Sequence, residues 1–539
     1  MPYRDLHQHI EALEKKGLLV RVKKSINKET ELHPLVRCQF RGLQDKQRKA
    51  FLFENVTDSK GRKYAMPVLV AGLAGSREIY ATGLQCQVSE INDRWEFATR
   101  HPIDPVIVKT GRCQEVVITG DELHLPEKGL TRFPIPISTP GWDNGPYTTC
   151  SHFITHDPET KVRNMGNYRG MVKASDRVGM YVMYGQHISL HWDKARKAGK
   201  PLEAALVVGA PPVVSYSSVT KVPVDIDEIA IAGGLAGEPI PTVKCKTVDV
   251  YVPADAEIVM EGTISTEELE IEGPFGESNG HVHPRSYSMY IDVKCITHRK
   301  DALWVSFLSQ LTPSESSCMR RLSSEALYLK HLRSSMGIKA VQRVVNWEPL
   351  VNLRKLIIIQ MKNARSEEVW RALFGAATFI PVAGKVIIAV DDDIDPEDAD
   401  MVFWAVGLRT VPHRDVQIMQ GVDKGHAPPY GGIAIPEGIG AATYFGKGDD
   451  SILLINATLK QPFPPVALPK KEYMERAVKL WNELDLEPLS LKNPWFGYSL
   501  GDWNEELEEE AALAVRGDHY VTGEKLKQRR KKLGPGEAM

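Results

Sequence analysis

Apolar residues recur along the chain with helical spacing in some stretches and as short strand-like runs in others. In the first hundred residues the two patterns alternate. Asp5 can cap a first helix that places Leu6, Ile10 and Leu13 on one face and ends at Gly17. The same patterns predict strands at 18–22, 51–55 and 67–71 and helical segments near 76–83 and 88–99. Together they predict a mixed α/β N-terminal domain over residues 1–101.

Between residues 102 and 311 the chain consists mainly of short β-like runs separated by proline and glycine. We predict strands at 106–109, 115–119, 147–155, 204–208, 247–252, 256–262 and 287–298. Many short strands at such spacing are typical of a barrel or a sandwich. This β-rich domain is followed by a change back to helical spacing.

The segment 312–315 (TPSE) has the pattern of a capping box with proline at the first helical position. It predicts a connecting helix over 312–337, with Met319, Leu322 and Ala326 facing inward. Beyond it, strands at 356–361 and 385–390 alternate with helices at 366–375 and 396–406, which favours strand–helix–strand units in a C-terminal α/β domain over 338–490. A helix at 471–484 and a charged helix in the tail, 491–539, follow. The fold class is thus a multidomain α/β protein.

Composition excludes several classes of protein. The 539 residues are 25% charged and 42% hydrophobic, which is ordinary for globular domains, and suffice for about two to four of them. The formal net charge of −2 gives no electrostatic case for nucleic acid or an anionic membrane. Neither a secretory signal nor an apolar run of about 18 residues is visible. Seven scattered cysteines without a Cys-x-x-Cys spacing indicate reduced thiols in a cytoplasmic protein and no zinc–cysteine site.

The segment 272–277 (EGPFGE) is the first candidate for chemistry. Proline and glycine suit a type I turn over 273–276, and such a turn would let Glu272 and Glu277 look into one cavity. Two carboxylates in a poorly hydrated cavity cannot both ionise cheaply, so one of them can be held protonated as a proton donor. The alternative is a surface turn with two solvated glutamates.

Further candidates lie in the same β-rich domain. Asn164, His187 and Glu228 form a mixed nitrogen and oxygen ligand set for manganese, iron or magnesium, although a single histidine is more often structural. Arg169 can pair with Glu272 and leave Glu277 free to exchange protons. The alternative is an ordinary, partly buried ion pair.

Other motifs fail on inspection. The segment 440–448 resembles a phosphate loop but has the wrong spacing, and the acidic cluster 391–395 has a proline where an EF-hand loop needs glycine. His281 and His283 share a strand face, yet no third ligand is near in sequence, so we favour a structural or pocket-lining role. The absence of a Gly-x-Ser-x-Gly elbow and of a dinucleotide-binding glycine motif weighs against hydrolase and dinucleotide readings.

Taken together, these stretches resemble the UbiD family of prenylated-FMN-dependent (de)carboxylases. The resemblance runs in family order over nearly the whole chain. It is carried by 164–169 (NMGNYR), 186–188 (QHI), 227–228 (DE), the glycine-rich run 232–239, 272–277 (EGPFGE) and 392–395 (DDID).

The resemblance implies an N-terminal α/β domain, a central split β-barrel that binds the flavin, a connecting helix and a C-terminal α/β domain. It implies Arg169, Glu272 and Glu277 as the catalytic set, with Glu277 as proton donor. It places the divalent metal (Mn²⁺, possible alternatives being Fe²⁺ and Mg²⁺) on Asn164, His187 and Glu228, and a K⁺ ion near Ser217 and Ser218. The implied cofactor-binding residues are Asn164, Met165, Gly166, Asn167, Gln186, His187, Ser217, Ser218, Glu228 and Lys385.

The implied activity is reversible decarboxylation of an aromatic or α,β-unsaturated carboxylic acid. The alternatives are decarboxylation of an aryl-CoA thioester, a flavin- or metal-binding subunit of a multi-subunit aromatic carboxylase, and a metal-dependent hydrolase. Ser278 stands where ferulate decarboxylases carry a bulkier methionine, and Thr312 with the loop around His426 and Tyr430 is expected to line the pocket. A flavin prenyltransferase is the expected cofactor supplier, and a homodimer or larger homo-oligomer the expected assembly.

Overall fold

The computed structural model describes residues 3–531 apart from 183–184, 279, 284, 348–354, 381–383 and 421–450. The chain forms two compact units, Met1–Ala389 with Val416–Ile455 and Val390–Asp415 with Asn456–Met539. The segment 440–448 and the expected pocket loop around His426 and Tyr430 lie outside the described residues.

The N-terminal region contains the predicted alternation of helices and strands. Its helices are α1 (Leu6–Lys15), α2 (Leu32–Gly42), α3 (Arg77–Leu84) and α4 (Ile91–Arg100). Its strands are β1 (Leu19–Val22), β2 (Ile26–Asn27), β3 (Ala50–Phe53), β4 (Val56–Thr57), β5 (Lys63–Tyr64) and β6 (Val68–Val70). Asp5 caps α1 as predicted, because its carboxylate accepts the Gln8 N–H at 3.0 Å. Helix α2 is an addition to the prediction.

The central region is β-rich, as predicted. Its strands are β7 (Val106–Val108), β8 (Val116–Thr119), β9 (Tyr147–Thr148), β10 (Ser151–His156), β11 (Arg163–Asn167), β12 (Gly170–Ala174), β13 (Arg177–Met180), β14 (Leu202–Val208), β15 (Pro241–Lys244), β16 (Tyr251–Pro253), β17 (Ile258–Ile264), β18 (Glu270–Glu272), β19 (Phe275–Gly276), β20 (Val282–His283), β21 (Ser286–Ser288), β22 (Tyr290–His298) and β23 (Trp304–Ser306). Three helices interrupt them, namely α5 (His187–Lys197), α6 (Pro212–Ser217) and α7 (Glu228–Ala236).

Nine of these strands form one antiparallel half-barrel sheet. Its order is β11-β10-β14-β17-β22-β13-β12-β9, with β8 added against β22. Strand β23 instead joins β6 in parallel and completes a four-stranded sheet with β1 and β3. The N-terminal sheet therefore takes its edge strand from the far end of the β-rich region. The predicted strand 247–252 is shorter than expected, because the backbone N–H groups of Lys246 and Thr247 donate to the Glu261 carboxylate.

The remaining elements include the predicted helices and strands in their order, together with further elements that were not predicted. They are α8 (Glu315–Lys330), β24 (Val341–Asn346), β25 (Leu356–Met361), α9 (Ser366–Phe379), β26 (Val386–Asp391), α10 (Ala399–Arg409), α11 (Pro412–Asp415), β27 (Val416–Gln420), β28 (Ser451–Asn456), α12 (Lys471–Glu483), α13 (Glu505–Val515) and α14 (His519–Lys527). The five strands form a sheet in the order β24-β25-β26-β28-β27.

Two predicted helix starts are wrong. The connecting helix α8 is capped by Ser314, which exchanges hydrogen bonds with Ser317, rather than by Thr312. Helix α10 begins three residues later than predicted, because Asp398 rather than Asp395 accepts the first free N–H groups. The charged tail forms two helices instead of one, and among the described residues no helix combines the length and apolarity that a membrane span needs.

Candidate active site

Three ionisable side chains meet in one ion-paired cluster in the β-rich region. Arg169 lies in the short connection between β11 and β12, Glu272 ends β18 and Glu277 directly follows β19. Nε and Nη2 of Arg169 donate to the two carboxylate oxygens of Glu272 at 2.8 and 2.6 Å, and Nη1 donates to Glu277. The Glu272 side chain is fully buried, whereas 24% of the Glu277 side chain is exposed. The structure thus brings together all three predicted catalytic residues.

Two aromatic rings complete the surroundings of Arg169. Its guanidinium carbon lies 4.3 Å from the centre of the Tyr181 ring and 4.8 Å from that of Phe275, within the range of cation–π attraction. Burial opposes the charge of Arg169, but the charges of Glu272 and Glu277 outweigh it and raise the pKa of the guanidinium. Arg169 is therefore a permanent cation that orients the two acids and moves no proton itself.

The backbone of the segment 272–277 differs from the predicted type I turn. Strand β18 pairs with β21 and β19 pairs with β20, so the segment is one arm of a hairpin that continues in the same direction. The arm is interrupted at Gly273, whose φ of 93° is readily adopted only by glycine. The chain reverses only after Glu277, whose N–H donates to the His281 carbonyl at 2.9 Å. The interruption, rather than a turn, lets both glutamates reach one arginine.

Glu277 is held more firmly than the sequence indicated. We expected Arg169 to pair with Glu272 alone, whereas its guanidinium binds both acids. The second oxygen of Glu277 accepts the Ser278 N–H at 3.1 Å. One guanidinium has five N–H donors, which are enough for both carboxylates.

His283 borders this cluster, and its structural or pocket-lining role stays a prediction. Its Nδ1 lies 3.4 Å from Nη2 of Arg169, and its ring centre is 4.5 Å from that of Tyr181. The imidazole therefore borders the guanidinium on the side of the hairpin.

The three predicted metal ligands lie on neighbouring elements. Nδ1 of His187, the first residue of α5, is 3.7 Å from a carboxylate oxygen of Glu228, the first residue of α7. The other oxygen of Glu228 accepts the N–H of Met165 at 2.8 Å, and Asn164 is the preceding residue on β11. Asn164 and Glu228 are buried. A carboxylate, an imidazole and an amide oxygen are a donor set that Mn²⁺, Fe²⁺ and Mg²⁺ accept, so these residues fit the implied ion.

Strand β11 leaves no room for a side chain at Gly166. A Cβ atom there would lie 2.5 Å from the ring of Tyr168, closer than any real contact. Met165 beside it is buried. This part of the strand therefore requires glycine in order to pack against the tyrosine.

Asn167, Ser217 and Ser218 form the junction between β11 and α6. The Asn167 N–H donates to the Ser218 carbonyl at 3.1 Å. The hydroxyls of Ser217 and Ser218 donate to carbonyls of their own helix at 2.9 and 2.7 Å. Their hydroxyl protons are used, but their oxygens can still accept, which suits a cation better than an anion.

Gln186 and Lys385 occupy the ends of elements. Gln186 precedes α5, and its carbonyl accepts the N–H of Ser189 at 2.8 Å. Lys385 precedes β26, and its N–H donates to the Lys355 carbonyl at 2.8 Å. The roles of both side chains in cofactor binding stay predictions.

Sequence reasoning missed Arg320, a second cation, whose charge interacts with that of Glu277. Arg320 lies half-buried on α8 and forms no ion pair and no side-chain hydrogen bond within the described part of the chain, whereas Arg321 donates to Glu325 at 2.8 Å. Burial lowers the pKa of Arg320, and the charge of Glu277 opposes that effect. The sequence signal for Arg320 was its position directly after Met319, in a helix whose other positions are largely buried.

Fold and site together define a multidomain α/β protein with a buried, ion-paired cluster in its β-rich region. Three family models match the chain in order. They are the N-terminal domain of 3-octaprenyl-4-hydroxybenzoate carboxy-lyase over residues 10–98, its Rift-related domain over 106–310 and its C-terminal domain over 317–433. The chain belongs to the UbiD family of carboxy-lyases.

Relatives are similar over most of their length. A phenolic acid decarboxylase of Sedimentibacter hydroxybenzoicus is 29% identical over 439 residues, which cover 78% of this chain and 86% of that protein. An uncharacterized protein of Aquifex aeolicus is 29% identical over 517 residues, 90% of this chain and 99% of that one.

Solved structures of UbiD-class enzymes share the fold. The UbiD-class enzyme HmfF from Pelotomaculum thermopropionicum in complex with FMN has a TM-score of 0.74 and 29% identity, and covers 88% of this chain and 99% of that one. An evolved dimeric form of HmfF in complex with prFMN has a TM-score of 0.73 and 29% identity, at 87% and 98% coverage. The vanillic acid decarboxylase of Sedimentibacter hydroxybenzoicus in closed form has a TM-score of 0.74 and 26% identity, at 90% and 99% coverage.

Proposed function

We propose that this protein is a carboxy-lyase that uses prenylated FMN to remove CO2 from an aromatic or α,β-unsaturated carboxylic acid. The observation that carries the proposal is the buried Arg169 bound to a fully buried Glu272 and a partly exposed Glu277. Only Glu277 has the exposed edge needed to exchange a proton with solvent. Membership of the UbiD family and the similarity to HmfF, which is solved with FMN and with prFMN, support the choice of cofactor.

The chain's own residues supply the proton and the orientation. Cleavage of the bond between the unsaturated carbon and the carboxylate leaves an electron pair on that carbon. Prenylated FMN, when bound, supplies an electron sink that no side chain provides. Glu277 donates its proton to the carbon and regains one from solvent, so each turnover consumes one proton and releases one CO2. Arg169 and Glu272 hold Glu277 in place for that transfer.

The cofactor site is proposed to lie along β11, α5, α6 and α7. Asn164, His187 and Glu228 would hold a divalent ion, with Mn²⁺ preferred over Fe²⁺ or Mg²⁺, and the acceptor oxygens of Ser217 and Ser218 suit K⁺. The half-barrel sheet would then be part of a split barrel around the flavin. The remaining proposed contacts are Met165, Gly166, Asn167, Gln186 and Lys385.

The substrate is proposed to be an aromatic acid. Thr312 supports a polar contact, because its hydroxyl is buried and has no hydrogen-bond partner among the described residues. Arg320 adds a cation in the field of Glu277. The relatives named as phenolic and vanillic acid decarboxylases support the same class of substrate.

Membership of the family supports a proposal for cofactor supply and assembly. We propose that a flavin prenyltransferase provides the modified FMN, and that the protein forms a homodimer or a larger homo-oligomer. An evolved dimeric form of HmfF exists, which supports the proposal that proteins of this fold form oligomers.

The proposal is tested by purifying the protein with and without a co-expressed flavin prenyltransferase. We expect a flavin absorption spectrum and CO2 release from aromatic acids only after co-expression. A panel of free acids and aryl-CoA thioesters then identifies the substrate form, and the native mass gives the assembly. Retention of no flavin, or hydrolysis without flavin, would overturn the proposal.

A further inference from the structure

The arm that carries Glu272 and Glu277 is held by a neighbouring segment, residues 139–147, which we term the clamp. A carboxylate oxygen of Asp143 accepts the N–H of Gly276, the residue directly before Glu277, at 2.8 Å. The amide of Asn144 donates to the carbonyl of Gly273, the residue directly after Glu272, at 2.7 Å. Two adjacent side chains thus fix both ends of the four residues that separate the two acids.

The clamp is itself tightly ordered. The second carboxylate oxygen of Asp143 accepts the Thr139 N–H at 2.7 Å, and the Asp143 N–H donates to the Thr139 carbonyl at 3.1 Å. Gln310 donates to the Thr139 hydroxyl at 3.3 Å and to the Ser138 carbonyl. A Cβ atom at Gly276 would lie 2.2 Å from the Thr139 hydroxyl, so the arm and the clamp are in direct contact.

The end of the clamp reaches the cation of the site through an aromatic pair. The ring of Tyr147 is 4.5 Å from that of Phe275, and Phe275 lies against the guanidinium of Arg169. Burial raises the pKa of Asp143, while its two N–H contacts and the charge of Arg169 lower it. The clamp therefore contacts the arm next to the residue that packs against Arg169.

We propose that Asp143 and Asn144 are positioning residues that hold the proton donor in place. They fix the backbone from Gly273 to Gly276, so that Glu277 keeps its hydrogen bond to Arg169 and presents its proton at a constant position. The inference rests on the role of Glu277 proposed above. Because a displacement of about 1 Å in a reacting group can reduce the rate about a hundredfold, the effect should fall on kcat rather than on binding.

The test compares variants of the clamp with a matched control in the flavin-loaded protein. Asp143→Ala removes the contact to the Gly276 N–H together with that to the Thr139 N–H, and Asn144→Ala removes the contact to the Gly273 carbonyl. The exposed position of Asn144 makes its variant the safer one for folding. The control is Asp58→Ala, because Asp58 is also half-buried and accepts two N–H groups, from Lys60 and Arg62, at a distant turn. We expect kcat to fall about tenfold to a hundredfold in Asp143→Ala and less in Asn144→Ala. KM and flavin content should change by less than about threefold, and Asp58→Ala should keep its kcat.

A second measurement does not depend on turnover. Melting temperatures of Asp143→Ala, Glu277→Gln and the double variant form a cycle that reports whether the two residues interact. We expect a non-additive cycle for Asp143 with Glu277 and an additive one for Asp58 with Glu277.

The outcomes distinguish failure of the proposed activity from failure of the proposed role of the clamp. If the wild-type protein releases no CO2 but the cycle is non-additive, the proposed activity fails and the clamp stands. Unchanged kcat in both clamp variants, or an additive cycle, overturns the clamp. An equal loss of kcat in Asp58→Ala also overturns it, since that loss would be a general consequence of destabilisation.

Discussion

Glu272 receives two parallel hydrogen bonds from Arg169, of 2.8 and 2.6 Å, and has no exposed surface. This geometry matches the fork of a guanidinium to the two oxygens of a carboxylate, which a lysine could not reproduce. Since the remaining Arg169 nitrogen binds Glu277, the buried acid fixes the cation and the cation fixes the exposed acid. The position of the exposed acid therefore depends on the buried one.

Removal of the proton donor should abolish turnover without loss of flavin. In Glu277→Gln the amide oxygen can still accept from Arg169, but the amide has no acidic proton. We therefore expect kcat to fall about 10²–10⁴-fold. Exchange of the substrate's ring or vinyl proton with deuterated solvent should stop as well. Steady-state CO2 release and NMR of the exchange measure both, with the exposed Glu122→Gln as control. Full activity in Glu277→Gln would reject the assigned role.

Removal of the arginine should cost stability as well as activity. Arg169→Met leaves the fully buried Glu272 without its counter-charge, which typically costs about 3–5 kcal/mol. The double variant Arg169→Met/Glu272→Met removes both charges and should regain most of that loss. Denaturant midpoints compare the three proteins. A double variant no more stable than Arg169→Met would show that the ion pair is not the source of the effect.

Substitution of Arg320 should weaken substrate binding. Because this half-buried cation has no ion-pair partner among the described residues, an anionic substrate is its natural counter-charge. We expect Arg320→Gln to raise KM about tenfold while kcat changes little. The exposed Arg333→Gln, near the end of the same helical stretch, is the control. An unchanged KM would exclude contact between Arg320 and the substrate.

The metal ligands can be tested by metal content. Asn164→Leu and Glu228→Gln each remove a charge or an oxygen donor from the set near His187, so bound Mn²⁺ measured by mass spectrometry should drop well below one per chain. Chelation of the wild-type protein should have the same effect and should lower flavin retention. Stoichiometric metal in both variants would place the ion elsewhere.

Acid should destabilise the fold through buried imidazoles. Burial lowers the pKa of His9 to about 4 and that of His33 to about 3, from an ordinary value of 6.5. Their contribution to stability is therefore complete above pH 6.5 and is lost as the pH falls through about 4 and about 3. Within that window each imidazole should add about 1.4 kcal/mol per pH unit to the slope of stability. Melting temperatures between pH 8 and pH 4 should decline, and His33→Gln should decline less steeply.

Local pattern sufficed for several elements. Asp5 caps its helix as predicted, because a short polar side chain before an apolar helical repeat has few other ways to satisfy the first N–H groups. The apolar strands β3, β6 and β25 were likewise predicted from their local sequence. The prediction for 312–315 was wrong by two residues, since several residues of this segment can cap and tertiary contacts choose among them. The carboxylate of Glu315, which the predicted capping box would use at the helix start, instead accepts the N–H groups of Ala71 and Leu73.

The candidate site divides in the same way. Residue types and their order in the sequence indicated Arg169, Glu272 and Glu277, and family resemblance gave them roles. The sequence did not reveal that one guanidinium binds both acids, or that Asp143 and Asn144 hold the arm between them. It also did not reveal Arg320, because an arginine on a helix has the same local pattern whether it faces water or a pocket.

By itself, the sequence determined the class of fold, many of the helices and strands in their order, and the chemical types available to the site, because these depend on the spacing of neighbouring residues. Tertiary structure alone decided which charges meet, which acid is buried and which remains exposed. Arg169 and Glu277 are 108 residues apart, and they meet only because the hairpin that carries Glu277 packs against the connection between β11 and β12. Contacts over such separations depend on the packing of the whole chain, which no local spacing encodes.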